Sequence, residues 1–460
     1  MASKSKRARL APQRDLKKTF MYWAAIVLLI KLIISFNIPA FNIEINGKPF
    51  LLDGIWLGAD GENYLKGYDA LSSDGVFSTE GILSYWPAGY PLIILLLSLF
   101  GEGWVLTTLA IAQSLIFSFS VYFLASQLFK TRLKKYSHLV LIFILFNPTL
   151  SLSSLAVGYE SLTASGFIIA LALMVKDFVE KNERKFVRYL IINSVIFGLL
   201  TFMQPRLLAS GLILILFWVV TKKGIKSAST MIVVSLAITL FFPATLIFRN
   251  NEATGLRAIS TNLGNTMNLG AGDKATGSYS SKEKGVECNP TPSNPGVSDS
   301  QLVKCVLNWY LQNPLKSTKL FYNKTIYFWS PWYGPLADGT MARNPWLKVN
   351  PIKNITSTQD GINLVYGGFG KLISWLWLLG GVASLMYGFL ILWRQKSLER
   401  FIGVFAMISI ATNWVISLFS IGDHRFRIPI MGMSLLIQVI GLKTFLRGRK
   451  PIMVEGPSLR

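Results

Sequence analysis

The chain has 460 residues, of which 52% are hydrophobic and only 15% are charged, and its mean hydropathy is +0.45. This composition excludes an ordinary soluble domain and indicates a protein that crosses a membrane several times. Lysine and arginine outnumber aspartate and glutamate by 46 to 23, but much of the excess lies in short tracts that flank apolar runs, which is typical of cytoplasmic loops and does not require a nucleic-acid partner.

Ten apolar runs are long enough, or nearly so, to cross a membrane as helices. They lie at 19–38, 104–129, 139–157, 161–178, 189–204, 207–221, 228–248, 371–393, 401–421 and 428–446. With the N-terminus inside, the basic tracts fall on the cytoplasmic side. The sequence therefore predicts an all-α polytopic membrane protein with an N-terminal transmembrane catalytic module (1–248), a large extracytoplasmic loop (249–370) and C-terminal transmembrane helices (371–460). Lys31, inside the first run, is expected to snorkel outward.

A first outer loop, residues 39–103, separates the first two predicted spans. In it Asp60 lies four residues before Tyr64, which puts both side chains on one face if a helix begins at Asp60. Asp60 could instead serve only as the cap of that helix. Tyr90 belongs to a proline-rich turn, and the apolar run 91–100 is too short to cross the membrane, so we predict an interfacial helix there.

Charged residues also lie at the predicted outer ends of later spans. Glu160 falls between two apolar helices, where a charge is costly and suggests a function, although simple exposure to outer water is the alternative. Arg206, His424, Arg425 and Arg427 face outward, against the positive-inside rule. Such a cluster needs an anion, and arginine suits phosphate because its planar fork makes two hydrogen bonds at once. The aspartate before the histidine could instead neutralise one of these cations.

Together these residues suggest one site at the outer membrane surface, with a carboxylate base on one side and cations for a phosphate on the other. Chemistry that fits is transfer of a sugar from a lipid-linked phosphate to an acceptor hydroxyl or amine. The sequence contains no Walker A motif and no dinucleotide fingerprint in a strand-turn-helix context, so a soluble nucleotide donor is not supported. Asp60 and Glu160 could share a divalent metal, but no ligand spacing requires one.

The order of these motifs resembles the GT-C superfamily of polyprenyl-phosphate-dependent glycosyltransferases, whose members include protein O-mannosyltransferases and lipid A aminoarabinose transferases. The matching positions are Asp60-x-x-x-Tyr64, Pro87-x-Gly89-Tyr90-Pro91, Glu160-Ser161-Leu162, Pro205-Arg206, Ser260-Thr261-Asn262-x-Gly264, Ala275-Thr276-Gly277 and Arg425-Phe426-Arg427-Ile428-Pro429. The resemblance implies a GT-C-type helical bundle with a helical first outer loop and a small outer domain. It makes Asp60 and Glu160 the catalytic carboxylates and places Arg425 and Arg427 beside the donor phosphate.

The resemblance also implies an inverting transfer of a sugar to an extracytoplasmic acceptor, which is a glycan, a lipid or a protein. The partners would then be a polyprenyl-phosphate-linked sugar donor and membrane lipid, with no nucleic acid. We expect a multi-pass protein of the plasma (inner) membrane whose site faces outward. Two other functions stay open: a transporter or lipid flippase, for which repeated halves and broken helices would be expected, and a glycan polymerase or ligase that uses a lipid-linked oligosaccharide.

Aromatic residues and two cysteines complete the set of candidates in the outer loops. Four aromatic side chains could stack on a sugar ring, although anchoring at the membrane interface explains them about equally well. They are Tyr64, Tyr90, Trp329 and Trp332. Cys288 and Cys305 lie in one hydrophilic segment, where an oxidising compartment would let them form a disulfide, and unpaired thiols are the alternative.

Overall fold

A computed structural model of the protein describes residues 2–57, 60–278, 285–289, 295–329, 376, 379–395 and 398–448; the side chains of residues 2–17, 148, 225–227 and 424 lie outside this description. Within these ranges eight helices are long and apolar enough to cross a membrane. The chain is therefore a multi-pass membrane protein that is almost entirely helical, as the sequence predicts.

In the N-terminal half the elements follow in this order: α1 (Ala2–Phe36), β1 (Phe41–Ile45), β2 (Lys48–Leu52), β3 (Trp56–Leu57), α2 (Gly61–Asp74), α3 (Ile82–Tyr85), α4 (Gly89–Ser98), α5 (Val105–Leu128), α6 (Lys134–Leu145), α7 (Pro148–Ser153), β4 (Ala156–Val157), α8 (Glu160–Glu180), α9 (Glu183–Met203), α10 (Leu208–Lys223) and α11 (Ile225–Thr254). The described elements that follow are α12 (Leu263–Leu269), α13 (Pro295–Gln312), α14 (Pro314–Trp329), α15 (Leu379–Trp393), α16 (Leu398–Phe419) and α17 (Ile428–Leu446).

The helices of the bundle differ in how deeply they are buried. Helix α8 is the most buried of the eight candidate spans, with 72% of its most apolar window inside the protein, and it packs against α5, α9 and α17. For α1 and α11 the corresponding share is 22%. The two outer helices thus present most of their apolar side chains to the surroundings, as expected of helices that face lipid.

Eight of the ten predicted spans correspond to these eight helices, and the other two need separate comment. The predicted span at 139–157 is wrong as a single helix, because the chain breaks between α6 and α7. Proline disfavours a helical conformation in the residue before it, and Asn147 instead caps α7 by accepting a hydrogen bond from the Leu150 amide at 3.0 Å. The predicted span at 371–393 is described chiefly as α15, and its first residues lie outside the described part.

Lys31 also departs from expectation, because it does not snorkel. Its side chain is 1% exposed, and the ammonium group donates to the Ser154 hydroxyl at 3.0 Å and lies 3.9 Å from the centre of the Phe117 ring. The ammonium group is therefore held inside the bundle by a hydroxyl and an aromatic face.

The first outer loop contains a β-hairpin in addition to the helices that the resemblance implied. Strands β1 and β2 pair antiparallel, and Asn46 and Gly47 between them both have positive φ, at 50° and 76°. An Asn-Gly pair with this backbone matches the twist of a two-residue hairpin. Helices α2, α3 and α4 follow, and α4 is the short apolar helix predicted at 91–100.

A second, very short sheet places the two candidate carboxylates side by side. Strand β3 pairs parallel to β4, with Trp56 opposite Ala156 and Leu57 opposite Val157. Asp60 follows β3 at the same spacing as Glu160 follows β4, and each begins or precedes a helix. The parallel register therefore brings the two residues to equivalent positions on neighbouring strands.

The described part of the large loop packs over the same end of the bundle. Helices α12, α13 and α14 share an apolar cluster that includes Met267, Val306, Tyr310 and Leu320. A disulfide joins Cys288 to Cys305 on α13. Of the two possibilities that the sequence left open, the structure shows the bonded one.

Candidate active site

Arg425 lies between the two carboxylates that the parallel strands align. Its Nη2 atom donates to Asp60 Oδ2 at 2.6 Å, and its Nε atom lies 3.7 Å from Glu160 Oε1. The side chains of Arg425, Asp60 and Glu160 are 13%, 19% and 6% exposed, so this ion cluster is largely shielded from solvent. Charge pairs with so little exposure attract one another more strongly than surface pairs do.

The turn that carries Arg425 is held by its own capping residue and by a close contact. Asp423 accepts a hydrogen bond from the Arg425 amide at 2.9 Å and so caps the helical turn of residues 424–427. Gly422 donates its amide to the Gly277 carbonyl at 2.9 Å. A Cβ atom at Gly422 would lie 2.6 Å from Lys324 Cα, so this position has no room for a side chain.

Lys324 on α14 anchors the same turn from the other side, and the sequence analysis did not identify it. The buried ammonium group donates to the Ser420 carbonyl at 2.7 Å, to the Leu418 carbonyl at 2.9 Å and to the Tyr310 hydroxyl at 2.7 Å. Burial lowers the pKa of Lys324 to about 7, whereas the three acceptors favour the ammonium form. This lysine thereby ties the large loop to the segment that leads to Arg425.

Arg206 contributes a second guanidinium group next to Arg425. Its central carbon lies 3.8 Å from the centre of the Phe426 ring, and its Nε and Nη2 atoms are buried and have no hydrogen-bond partner among the described residues. A buried donor without an acceptor is costly unless a ligand or water accepts from it. The unsatisfied nitrogen atoms therefore indicate a place where an anion binds.

Asp60, Arg206 and Arg425 lie together in the wall of a cavity of about 840 Å³, and we call these three residues the charged wall. The volume is in the range of small-molecule binding sites. Other residues that line the cavity are Asn63, Tyr85, Trp86, Gln204, Ser260, Asn262, Asn265, Thr266, Asp299, Ser420, Asp423 and Phe426.

The helices around the charged wall add to its attraction for an anion. Glu160 is the first residue of α8, the turn of residues 205–207 leads directly into α10, and the turn that contains Arg425 leads directly into α17. Three helix N-termini thus meet at this end of the bundle, where unpaired amides and the helix dipoles favour negative charge.

Two of the predicted aromatic residues, Tyr64 and Tyr90, lie near the charged wall but do not line the cavity. The Tyr64 ring packs edge-to-face against Tyr90, Trp86 and Tyr159, at centroid distances of 5.0, 6.2 and 6.2 Å. The Tyr90 hydroxyl accepts from the Gly158 amide at 2.9 Å, close to Glu160. Burial raises the pKa of Tyr64, Tyr90 and Tyr159, so their hydroxyls stay protonated near neutral pH. Neither Tyr64 nor Tyr90 is among the residues that line the cavity.

The remaining predicted residues fall into two groups. Arg427 donates to the Trp329 carbonyl at 3.4 Å and lies 5.9 Å from the centre of the Trp329 ring, and neither residue lines the cavity. The side chain of His424 and the whole of Trp332 lie outside the described residues.

The two carboxylates, which the sequence analysis considered as possible metal ligands, both have the Arg425 guanidinium group as a neighbour. In the described ranges no group of three or more His, Cys, Asp or Glu side chains has the geometry to hold a metal ion.

Comparisons with known proteins find one distant structural likeness. No protein-family model and no curated protein matches the chain. The chain is similar to a solved structure described as archaeal oligosaccharyltransferase AglB from Archaeoglobus fulgidus in complex with an inhibitory peptide and a dolichol-phosphate, at 14% identity and a TM-score of 0.45. The likeness covers 93% of this chain and 51% of that structure, so the chain spans about half its length. The cavity itself, and not this likeness, supports the function proposed for it.

Proposed function

We propose that this protein is an inverting membrane glycosyltransferase of the GT-C type, which transfers a sugar from a polyprenyl-phosphate-linked donor to an extracytoplasmic glycan, lipid or protein. One observation carries the proposal: a carboxylate and two guanidinium groups line one cavity at the ends of membrane helices, and each guanidinium group has at least one buried donor without a hydrogen-bond partner among the described residues. A base and an anion site in one cavity are the two components that such a transfer requires.

The bond changes follow from the position of the charged wall. An oxygen or nitrogen atom of the acceptor bonds to the anomeric carbon of the sugar and loses its proton to a carboxylate oxygen of Asp60. The bond from that carbon to the phosphate oxygen breaks, and its electron pair leaves with the polyprenyl phosphate. Arg206 and Arg425 stabilise the charge that develops on this leaving group.

Glu160 supports this reaction through Arg425. Its carboxylate lies 3.7 Å from the Nε atom of the guanidinium group whose Nη2 atom donates to Asp60. Two carboxylates hold the guanidinium plane more firmly than one would, because a single contact leaves it free to rotate. A fixed guanidinium group can stabilise the leaving phosphate without reorganising during the reaction.

The proposed outward orientation of the cavity is inferred from the basic tracts, which lie at one end of the helices. The basic tracts at 130–136, 180–188, 221–226 and 447–450 join or follow helices at the end opposite to the charged wall. Under the positive-inside rule that end would be cytoplasmic, which supports the proposal that the cavity opens at the outer face of the plasma (inner) membrane. The donor's lipid tail would then lie in the membrane while its phosphate reaches the charged wall.

The test is an incubation of the purified protein in lipid nanodiscs with polyprenyl-phosphate hexose and candidate acceptors, with and without a chelator. Release of free polyprenyl phosphate and a product of inverted anomeric configuration are expected. Chelator sensitivity of that release reports whether a divalent metal takes part. Movement of intact donor across a liposome bilayer without release would contradict the proposal in favour of a carrier, and turnover confined to oligosaccharide donors would favour a polymerase or ligase.

A further inference from the structure

The cavity has a second wall whose chemistry differs from that of the charged wall. The side chains of Asn262, Asn265 and Thr266 line it together with Tyr85 and Trp86. We call these five residues the amide wall. Amide and hydroxyl groups both donate and accept hydrogen bonds, and the two rings offer apolar faces.

The amide wall is held in place by bonds between the first outer loop and the large loop. The Thr261 amide donates to the Ser84 carbonyl at 2.9 Å, and Asn265 Nδ2 donates to the Tyr85 hydroxyl at 2.5 Å. These contacts join segments that are far apart in the chain. The wall is therefore already formed without a ligand, so little ordering cost would accompany binding.

The carboxylates close to the amide wall are already engaged with backbone amides. Asp299 Oδ1 accepts from the Gly264 amide at 2.6 Å, and Asp423 Oδ1 accepts from the Arg425 amide at 2.9 Å. Burial raises the pKa of Asp299, although its hydrogen bonds from the Gly264 and Asn265 amides oppose that rise. Both carboxylates line the cavity, so this side offers a ligand uncharged amides, hydroxyls and rings together with two acidic side chains.

We propose that the amide wall binds the sugar ring of the donor and that this side of the cavity selects a neutral, hydroxyl-rich sugar over one that carries a carboxylate group. This inference rests on the proposed function, in which the phosphate lies at the charged wall, because the sugar attached to that phosphate must then extend into the rest of the cavity. Ring hydroxyls pair with amides that can both donate and accept, and the carbon face of the ring packs on Tyr85 or Trp86. A sugar carboxylate would lose hydration there and would meet Asp299 and Asp423, whose charges have the same sign.

The experiment measures the dissociation constants of polyprenyl-phosphate hexose and of sugar-free polyprenyl phosphate, without acceptor. The wild-type protein is expected to bind the hexose donor more tightly. Asn265→Ala should reduce that preference about fivefold, the equivalent of one hydrogen bond. Thr266→Val has the same shape without the hydroxyl and should reduce it similarly. Asn251→Ala, at an asparagine that does not line the cavity, should leave the preference unchanged.

A charge introduced on the amide wall sharpens the test. Asn265→Asp should shift relative turnover toward a donor whose sugar carries an amino group, and away from one whose sugar carries a carboxylate, by about tenfold, because it places a carboxylate where the wild type has a neutral amide. The inference is overturned if wild-type protein binds both lipids equally, or if the preference survives both Asn265→Ala and Thr266→Val. Polyprenyl phosphate release, measured on the same preparations, tests the proposed function separately: binding preference without release upholds the sugar site and contradicts the transferase.

Discussion

The charged wall and the amide wall line the same cavity but offer a ligand different chemical groups. In the charged wall, Asp60 and Arg425 pair with each other although 365 positions separate them, and Arg206 keeps donors unsatisfied. The five residues of the amide wall are uncharged, and two other lining residues, Asp299 and Asp423, each accept a hydrogen bond from a backbone amide. The difference indicates that one wall supplies attraction for any suitable phosphate, whereas the other distinguishes between sugars.

Removal of the base should have the largest effect on the charged wall. Asp60→Asn keeps the size of the side chain but cannot take the acceptor's proton, so we expect polyprenyl phosphate release to fall by about 10³-fold, near the middle of the range for general base catalysis. The matched control is Glu62→Gln on the same helix, where Glu62 pairs with Lys66 at the surface. Near-normal turnover by Asp60→Asn would remove Asp60 from the mechanism.

Replacement of a guanidinium group should come next. Arg425→Lys keeps the charge but loses the fork that reaches Asp60 and Glu160 together, and we expect kcat to fall about 100-fold, as when one transition-state donor is lost. Arg257→Lys, at an exposed arginine outside the cavity, is the control. A fall in donor affinity of the same size, with kcat unchanged, would show that Arg425 serves binding alone.

Lys324→Met tests whether the two walls act independently. Lys324 supports the turn that carries Arg425, and it does not line the cavity. The substitution leaves the Ser420 and Leu418 carbonyls without their donor, so the position of Arg425 becomes less well defined. We expect about a tenfold loss of kcat, since a small misplacement of a catalytic group is costly. The sugar preference should be retained, and loss of that preference would show that the two walls are not independent.

Loss of the disulfide should affect the amide wall more than the charged wall. Cys305 lies on α13, the helix whose Asp299 caps α12 next to Asn265. Closing a loop of this length contributes about 3 kcal/mol in the chain-entropy description. The double variant Cys288→Ser, Cys305→Ser should therefore unfold at lower temperature and lose part of its sugar preference while changing turnover only a few-fold. Unchanged preference in the folded variant would contradict this coupling.

The pH dependence of stability tests the burial of Lys324 without any measurement of activity. The pKa of Lys324 is lowered to about 7 in the folded protein, against an ordinary value near 10.4 in the unfolded chain. Between these values the unfolded chain binds a proton that the folded protein releases, so the contribution of Lys324 to the free energy of unfolding rises with pH from about 7 to about 10. Thermal unfolding of wild type and Lys324→Met, compared across this range, should show the slope only in the wild type. Parallel curves would contradict it.

Several features of the fold could be predicted because their signals are local. Long apolar runs identify most of the membrane helices, and the turn at Pro205 separates two of them as expected. The Asn-Gly pair of the hairpin, Asn46-Gly47, is also a local signal for a turn, but the first outer loop was predicted to be helical. The break before Pro148 has one too, since a proline inside an apolar run is a frequent helix boundary.

The site could be predicted only as a set of separate charges. The sequence indicated Asp60, Glu160, Arg206 and Arg425 because charges near the outer ends of spans are costly, and the resemblance added roles for them. It carried no sign of the partners of Lys31 and Lys324, because the acceptors are hydroxyls, rings or carbonyl groups that many other segments also contain. The amide wall was missed because asparagine and threonine in an outer loop look like ordinary loop residues.

The amino-acid sequence alone determines that the chain crosses a membrane repeatedly. It also determines that basic loops lie at one end of the helices and that unusual charges lie at the other end. Apolar length and the cost of a charge near lipid act within a segment, so they need no knowledge of the partners of that segment. Folding alone brings Arg425 between Asp60 and Glu160, and joins the two outer loops into the amide wall. Those pairings depend on how the helices pack and on the register of two short strands, which are properties of the assembled bundle.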